Sequence, residues 1–253
     1  MENLWEILLI LGTGVFAGFL NTVAGGGTLL TLPVLIFLGL PSATANGTNR
    51  VAVVVQNASG IMGFRRKGVS DFGYSALLTL PALVGAWIGA QIAVEMHEVI
   101  FKRILSGIMI SVLFVTLFSP TKKLQGGTEN LSLFRKIIGM VVFFFIGIYG
   151  GFIQAGVGFV VIAALTLTNG FGLVRTNAIK VFVIFFYTII ALIVFIKNGN
   201  VDWPLGLTLA IGNATGAWIG SHWAVAKGDK WIKVVLVVAV LALAIRLFWQ
   251  TLG

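Results

Sequence analysis

The chain has no cysteine, so disulfides and thiol chemistry play no part in it. Charge is also scarce. Asp, Glu, Lys and Arg together make up 10% of the residues, against roughly 25% in a soluble domain. So few charges cannot cover the surface of a water-soluble chain of 253 residues. The eight carboxylates all fall at or near the ends of apolar runs, which leaves none in mid-span as a cation site or proton relay. No Gly-Lys-Ser/Thr loop is present to cradle a phosphate, so ATP hydrolysis is excluded. His97 and His222 have no metal-ligand spacing around them, and no nucleophile–base–acid set is evident. The sequence therefore predicts no catalytic residue, no metal, no cofactor and no enzymatic activity.

Apolar residues are what the chain has in abundance, at 58%. Residues 74–94, 104–118, 137–153, 181–196, 203–225 and 232–249 are long and almost uncharged, and 4–20 and 51–64 are similar. About 20 apolar helical residues cross the hydrocarbon core of a bilayer. Lipid offers no hydrogen-bond partners, so a crossing segment is a helix or part of a closed barrel. These runs are continuous rather than alternating, which selects helices. The expected fold class is an all-α, multi-pass protein of the inner or plasma membrane, with lipid as its surroundings. A formal charge of +9 raises nucleic acid as a partner. However, the Lys and Arg residues sit in short connections, as membrane topology requires, and form no basic stripe with interleaved aromatics. Glu2 and Glu6 replace a basic leader region, so the N-terminal run reads as the first membrane helix and not as a removable signal peptide.

The chain repeats itself. Gly85-Ala86-Trp87-Ile88-Gly89 recurs as Gly216-Ala217-Trp218-Ile219-Gly220, and at the same spacing Gly68, Asp71 and Lys102 meet Gly199, Asp202 and Lys233. Upstream, Gly14, Gly18 and Asn21 face Gly147, Gly151 and Gln154. Ala24, Gly25 and Gly27 face Ala155, Gly156 and Gly158, and Thr48-Asn49 faces Thr176-Asn177. A collinear series of this length points to duplication. The expected halves are 1–120 and 132–253, joined by a cytoplasmic linker at 121–131 that contains Gly126-Gly127.

Each half opens on a segment too long for one span. Leu4 to Leu40 is interrupted at Gly25-Gly26-Gly27, which predicts helices at about 4–22 and 27–39. The second half divides at Gly156-Val157-Gly158 into about 133–153 and 158–169. With the remaining spans this gives five segments per half: about eight long spans in all, plus one short broken or re-entrant helix in each half. An odd number places the halves in opposite orientations. Loop charge agrees. Arg65-Arg66-Lys67, the linker with Lys122, Lys123, Arg135 and Lys136, and the 227–233 connection are all basic. Inversion puts all three on the cytoplasmic side, as the positive-inside rule favours.

The breaks are the most informative feature. A helix interrupted within the membrane frees backbone groups that must line a cavity or meet a substrate. A helix that restarts there turns its N–H groups and about half a positive charge toward the cavity, which suits an anion. Interruptions at corresponding positions of two inverted halves mark a transporter's site. Close helix packing by small residues is the competing reading of the glycines. The candidate substrate-binding residues in the first half are Asn21, Thr22, Gly25, Gly26, Gly27, Thr28, Thr48, Asn49, Arg50, Gln56 and Asn57. In the second half they are Gln154, Gly156, Gly158, Thr176, Asn177 and Lys180. Thr48 and Asn49 also suit a helix cap, and Arg50 and Lys180 also suit snorkelling to the interface. Ionisable groups inside a span are site candidates by default, and these two are the expected partners of a small anionic substrate. Trp87 and Trp218 read as packed against glycines of a neighbouring helix. A homodimer is compatible with the sequence but not selected by it.

These motifs carry a family resemblance. Gly14-x-x-x-Gly18-Phe19, Ala24-Gly25-Gly26-Gly27, Pro33, Gly39-Leu40-Pro41 and Gly47-Thr48-Asn49 occur in order. They are followed by Thr176-Asn177-Ala178-Ile179-Lys180, Gly199-Asn200-Val201-Asp202-Trp203 and the second Gly-Ala-Trp-Ile-Gly run. Along essentially its whole length the chain resembles the TauE/SafE sulfite exporter family. The resemblance implies an inner-membrane permease for sulfite, sulfonates or other small organic anions. The expected mechanism is alternating access at a midplane site; the alternative is a membrane scaffold or assembly factor without transport.

Overall fold

The computed structural model describes residues 4–118 and 129–252. Residues 121–128 of the expected linker, with Gly126-Gly127, Lys122 and Lys123, lie outside them. Among the described residues the chain is all helical: α1 Leu4–Val23, α2 Thr28–Phe37, α3 Ser42–Arg66, α4 Phe72–Val94, α5 Glu98–Phe118, α6 Leu133–Phe152, α7 Val157–Asn169, α8 Leu173–Lys197 and α9 Trp203–Leu252. The last of these breaks at Gly228, whose φ of 72° is left-handed. α4, α6 and α8 are each long and apolar enough to cross a bilayer. Large apolar side chains such as Phe16, Met62, Leu80, Phe134, Phe145, Leu207 and Ile211 face outward. An apolar surface this extensive suits lipid and not water; the chain is a multi-pass membrane protein.

Both expected breaks occur, within a residue or two of their predicted places. The third helix differs more. α3 begins at Ser42, nine residues before its apolar run, because Ser42, Asn46, Thr48, Asn49 and Arg50 are buried in protein and not in lipid. Hydropathy cannot see a polar helix that protein surrounds. Thr48 and Asn49 are therefore a turn or more inside α3 and do not cap it; Pro41 precedes its first turn. Trp87 is 53% exposed and faces outward, away from the glycine packing expected for it. Trp218 carries Arg66, whose guanidinium carbon lies 4.9 Å from the ring centroid.

Packing is reciprocal between the halves. α1 lies along α9 in the same direction: Leu11 and Gly14 meet residues 209–213, and Phe19 meets Gly216 and Trp223. α4 and α6 pair likewise, with Tyr74 at Gly139 and Ala86 at Gly151. Both contacts are glycine seams, where the missing Cβ lets one backbone rest on the next. α3 also runs along α9, from Thr48 at Asp202 to Gly63 at Ser221. α4 runs along α8, from Asp71 at Arg175 to Ala93 beside Val194 and Phe195. α3 and α8 cross antiparallel, with Gly47 against Phe195 and Gly60 against Val181. The fourth helix of each half thus packs on the other half's helices: α9 on α1 and α3, α4 on α6 and α8.

One end of the bundle is tied by charge. Arg175 at the start of α8 pairs with Asp71 and Glu129, and its guanidinium carbon lies 4.1 Å from the Phe171 ring centroid. Asp229 accepts the Leu173 and Val174 N–H groups at 2.9 Å each and so caps α8 from the α9 break. The 65–71, 169–175 and 227–230 connections therefore share this end.

Candidate functional site

The two breaks meet at the centre. Gly25 takes a left-handed φ of 96° at the end of α1 and lies directly against Gly158 in the first turn of α7. A Cβ on either glycine would run into the other's backbone. A cavity borders this contact, lined by Asn21, Gly25, Thr28, Val53, Gln56, Asn57, Gln154, Val157, Gly158 and Ile184. It admits water centres over about 10 Å³, room for roughly one water molecule. No charged side chain lines it. The N-termini of α2 and α7 border it through Thr28, Val157 and Gly158.

Its first-half wall is an amide chain. Asn21 accepts the Thr28 N–H at 3.3 Å and donates to Gln56 Oε1 at 3.0 Å; Asn213 of α9 donates to the same oxygen at 3.1 Å. The second-half wall is built around Gln154. This is the only non-glycine residue with positive φ among the described residues, at 59°. It donates to Thr188 Oγ1 at 2.9 Å and accepts from Arg50 Nη1 at 3.5 Å. A left-handed, non-glycine residue is a local strain that persists where surrounding contacts fix it, and such strain clusters at functional sites.

Arg50 and Lys180 are fully buried, at 0% and 1% exposure, which removes the snorkelling reading. Their donors are turned on helix ends rather than on open space. Arg50 Nη1 donates to Gly150 O at 3.0 Å and Nη2 to Gly151 O at 2.5 Å. Its neighbour Asn46 donates to Phe152 O at 2.7 Å and accepts from Nη2 at 3.4 Å. In the other half Lys180 Nζ donates to Thr22 O at 3.0 Å and to Asn177 Oδ1 at 2.6 Å. Asn177 donates to Val23 O at 2.9 Å. Gly150, Gly151 and Phe152 end α6, and Thr22 and Val23 end α1. Each half's cation and amide therefore cap the broken helix of the other half. A helix C-terminus carries about half a negative charge and spare carbonyls, and hydrocarbon offers no water to satisfy them.

This geometry revises the pairing read from the sequence. Asn177 corresponds in its contacts to Asn46, which sequence reasoning missed, and not to Asn49. Asn49 Oδ1 instead accepts from Thr31 Oγ1 at 2.7 Å. Thr48 Oγ1 accepts the Asp202 N–H at 2.9 Å, toward the end of the bundle away from Asp229. Thr176 is buried without a hydrogen bond from its hydroxyl. Of the seventeen candidates, Asn21, Gly25, Thr28, Gln56, Asn57, Gln154 and Gly158 line the cavity. Thr22, Asn177, Arg50 and Lys180 form the caps behind it; Gly26, Gly27 and Gly156 are the turns of the breaks. Asn213 and Thr188 were also missed. Asn213 had a signal, because the repeat places Ala82 at its counterpart and an amide replacing alanine in mid-span calls for a reason. The side chains of Arg50, Tyr187 and Asn213 each keep one buried polar atom without a protein partner.

Comparisons with known proteins bear on the chain as a whole. The model of the family "Sulfite exporter TauE/SafE" matches residues 10–247. A probable membrane transporter protein of Sinorhizobium sp, ORF9, is 31% identical over 250 residues, spanning 98% of this chain and 95% of its own. One from Haemophilus influenzae is 26% identical over 92% of this chain and 90% of its own. YfcA of Escherichia coli K12, also named a probable membrane transporter, is 28% identical over 97% and 92%. No solved structure gives a significant match.

Proposed function

The chain belongs to the sulfite exporter TauE/SafE family, and from that premise we propose that it is a secondary transporter of small anions, with sulfite or a sulfonate as the substrate class. One observation carries this reading. Two buried cations, Arg50 and Lys180, stand behind the central cavity, and no carboxylate is buried among the described residues. Their charge is set against helix C-termini, while the N-termini of α2 and α7 border the cavity. The result is a positive centre without an internal counter-ion. An anion there is met by N–H groups and by Asn21, Gln56, Asn57 and Gln154, without a direct salt bridge.

The halves, 1–120 and 132–253, act as an inverted repeat around this site, with the 121–131 linker on the cytoplasmic side. The opposed directions of α3 and α8, and the gathering of the 65–71 and 227–230 connections at one basic end, support that orientation. The same arrangement supports alternating access at the site as the mechanism. A monovalent anion leaving an inside-negative cell gains about 2.3 kcal/mol per 100 mV, so export needs no coupling ion. Flux from proteoliposomes that ignores an imposed voltage would sink the uncoupled export reading.

Ligand-dependent thermal stabilisation tests the reading most directly. Purified protein is heated with sulfite, thiosulfate, sulfonates and short carboxylates in turn. Binding to the folded state raises the midpoint with the logarithm of ligand concentration over Kd. The expected outcome is a shift with one anion class, lost in Arg50→Gln and Lys180→Gln. No shift with any anion well above millimolar concentration would refute the anion site and leave a scaffold as the better reading.

A further inference from the structure

The sequence repeats are not the packing units. α9 leaves its own half to lie on α1 and α3, and α4 leaves its half to lie on α6 and α8. Within the first half α4 has no substantial contact with α1, α2 or α3. One bundle is therefore α1–α3 with α9, and the other is α6–α8 with α4. Inside each bundle the contacts are long glycine seams, backbone on backbone along many turns. Between the bundles the contacts are of a different kind: the α3–α8 crossing, with apolar side chains as at Gly60 and Val181, the Gly25–Gly158 touch, the two polar caps and the Asp229 cap of α8. Arg50 belongs to one bundle and holds the end of α6 in the other. Lys180 reaches back the opposite way to the end of α1.

We infer that the bodies that move against each other in transport are these exchanged bundles, not the two sequence halves, and that Arg50 and Lys180 are positioning residues that form the pivots between them. The inference rests on the transporter reading. A cation on carbonyls suits a pivot. Its attraction to a helix end is only weakly directional, so it survives a tilt that would break a close-packed seam. Each pivot also sits at the base of a break, so a tilt there turns the N-termini that border the cavity toward one face of the membrane or the other.

The absence of native cysteine gives a clean background for the test. A Cβ at Gly60 would lie 3.6 Å from that of Val181, within disulfide range. Gly60→Cys with Val181→Cys therefore links the two bundles. A Cβ at Gly206 would lie 3.2 Å from that of Val51, so Val51→Cys with Gly206→Cys links α3 to α9 within one bundle after a small shift. Both pairs are oxidised in proteoliposomes and efflux of a sulfonate, which unlike sulfite does not cleave disulfides, is measured before and after dithiothreitol. The expected result is loss of efflux for the Gly60–Val181 pair, restored by reduction, and unchanged efflux for the Val51–Gly206 pair. Both pairs bridge the sequence halves, so loss of efflux for both would show those halves moving as bodies and would overturn the inference; unchanged efflux for the Gly60–Val181 pair would overturn it too.

Spin labels provide a readout that needs no substrate. Labels at Met62 and Ile219 lie within one bundle; labels at Met62 and Phe134 lie across the two. The first pair should give one narrow distance and the second a broad or double distribution, which Lys180→Gln widens further. A single narrow distance for both pairs, unmoved by Lys180→Gln, would overturn the inference. Absence of efflux of both sulfite and the sulfonate from the unaltered protein would sink the transport reading alone, and the label distances would still decide which bodies move.

Discussion

Alanine at Gly158 tests whether the two breaks meet as described. Its Cβ would lie 2.8 Å from the Gly25 carbonyl oxygen and 2.9 Å from the carbonyl carbon, and closer still to Gly25 Cα. Ordinary contact begins near 3.4 Å, so the breaks must part by more than half an ångström. Neither can slide easily. α1 is held along α9 and capped by Lys180 and Asn177, and α7 follows a turn fixed by Gln154. Overpacking of this kind costs about 1–3 kcal/mol, and the gain from placing alanine in a helix, at most about 1 kcal/mol, offsets part of it. On the scale of soluble domains of this size, about 2–4 °C per kcal/mol, the midpoint should fall by several degrees. Gly107→Ala is the control, because nothing lies within 4 Å of its added Cβ and only the helical gain remains. Thermal unfolding in detergent and sulfite flux in liposomes should both show the contrast, with Gly158→Ala the less active. If Gly158→Ala matches Gly107→Ala in midpoint and flux, the breaks do not touch and the cavity is not where it is drawn.

Arg50→Gln and Lys180→Gln each remove a buried positive charge behind the cavity. Anion binding should weaken by at least about 1.4 kcal/mol, a tenfold rise in Kd, measured by the thermal-shift titration. An unchanged Kd in folded protein would refute the electrostatic account. Gln154→Gly relieves a left-handed residue, a gain of roughly 1–2 kcal/mol. It also loses the bonds to Thr188 and Arg50, at about 1 kcal/mol each, and takes on glycine's larger entropy cost, about 0.5–1 kcal/mol. Stability should stay within a few degrees while flux falls; unaltered flux would remove Gln154 from the site. Asp229→Ala strips two N–H partners from the start of α8, costing about 0.5–2 kcal/mol. Amide exchange at residues 173–176 should quicken, and unchanged exchange would show that Asp229 does not cap this helix.

Much of the fold was legible because lipid simplifies the code. Apolar runs long enough to cross a bilayer gave most helices, and glycine clusters at matching places in the repeat gave both breaks. Hydropathy failed where protein, not lipid, surrounds a helix. The stretch from Ser42 to Arg50 is polar and stands outside the apolar run, with Thr48 and Asn49 read as a helix start, yet it is the largely buried first third of α3. The candidate cavity was legible in part, since the breaks and their flanking amides do line it. Asn46 and Asn213 were missed because their partners lie 106 and 157 positions away in the chain, beyond the reach of any local pattern. Pairing Asn49 with Asn177 followed the motif's letters. The caps follow geometry instead, with the amide four residues before Arg50 in one half and three before Lys180 in the other.

The exchange of caps has a physical origin in the breaks themselves. A helix that stops inside a membrane leaves carbonyls that neither water nor lipid can satisfy, so a donor must come from another helix. The third helix of the other half crosses the centre and carries its cation to the stump. Once each half supplies what the other lacks, neither stump can be satisfied by its own repeat. On the proposed reading, the same arrangement accounts for a positive centre. Two cations, with Asn46 and Asn177, satisfy the two helix ends, any carboxylate beside them would compete with the carbonyls for the same donors, and the two restarted helices add their N-termini to the opposite side of each break. On that reading, a duplicated chain with paired intramembrane breaks arrives at a central field suited to an anion through the hydrogen-bond needs of its own backbone.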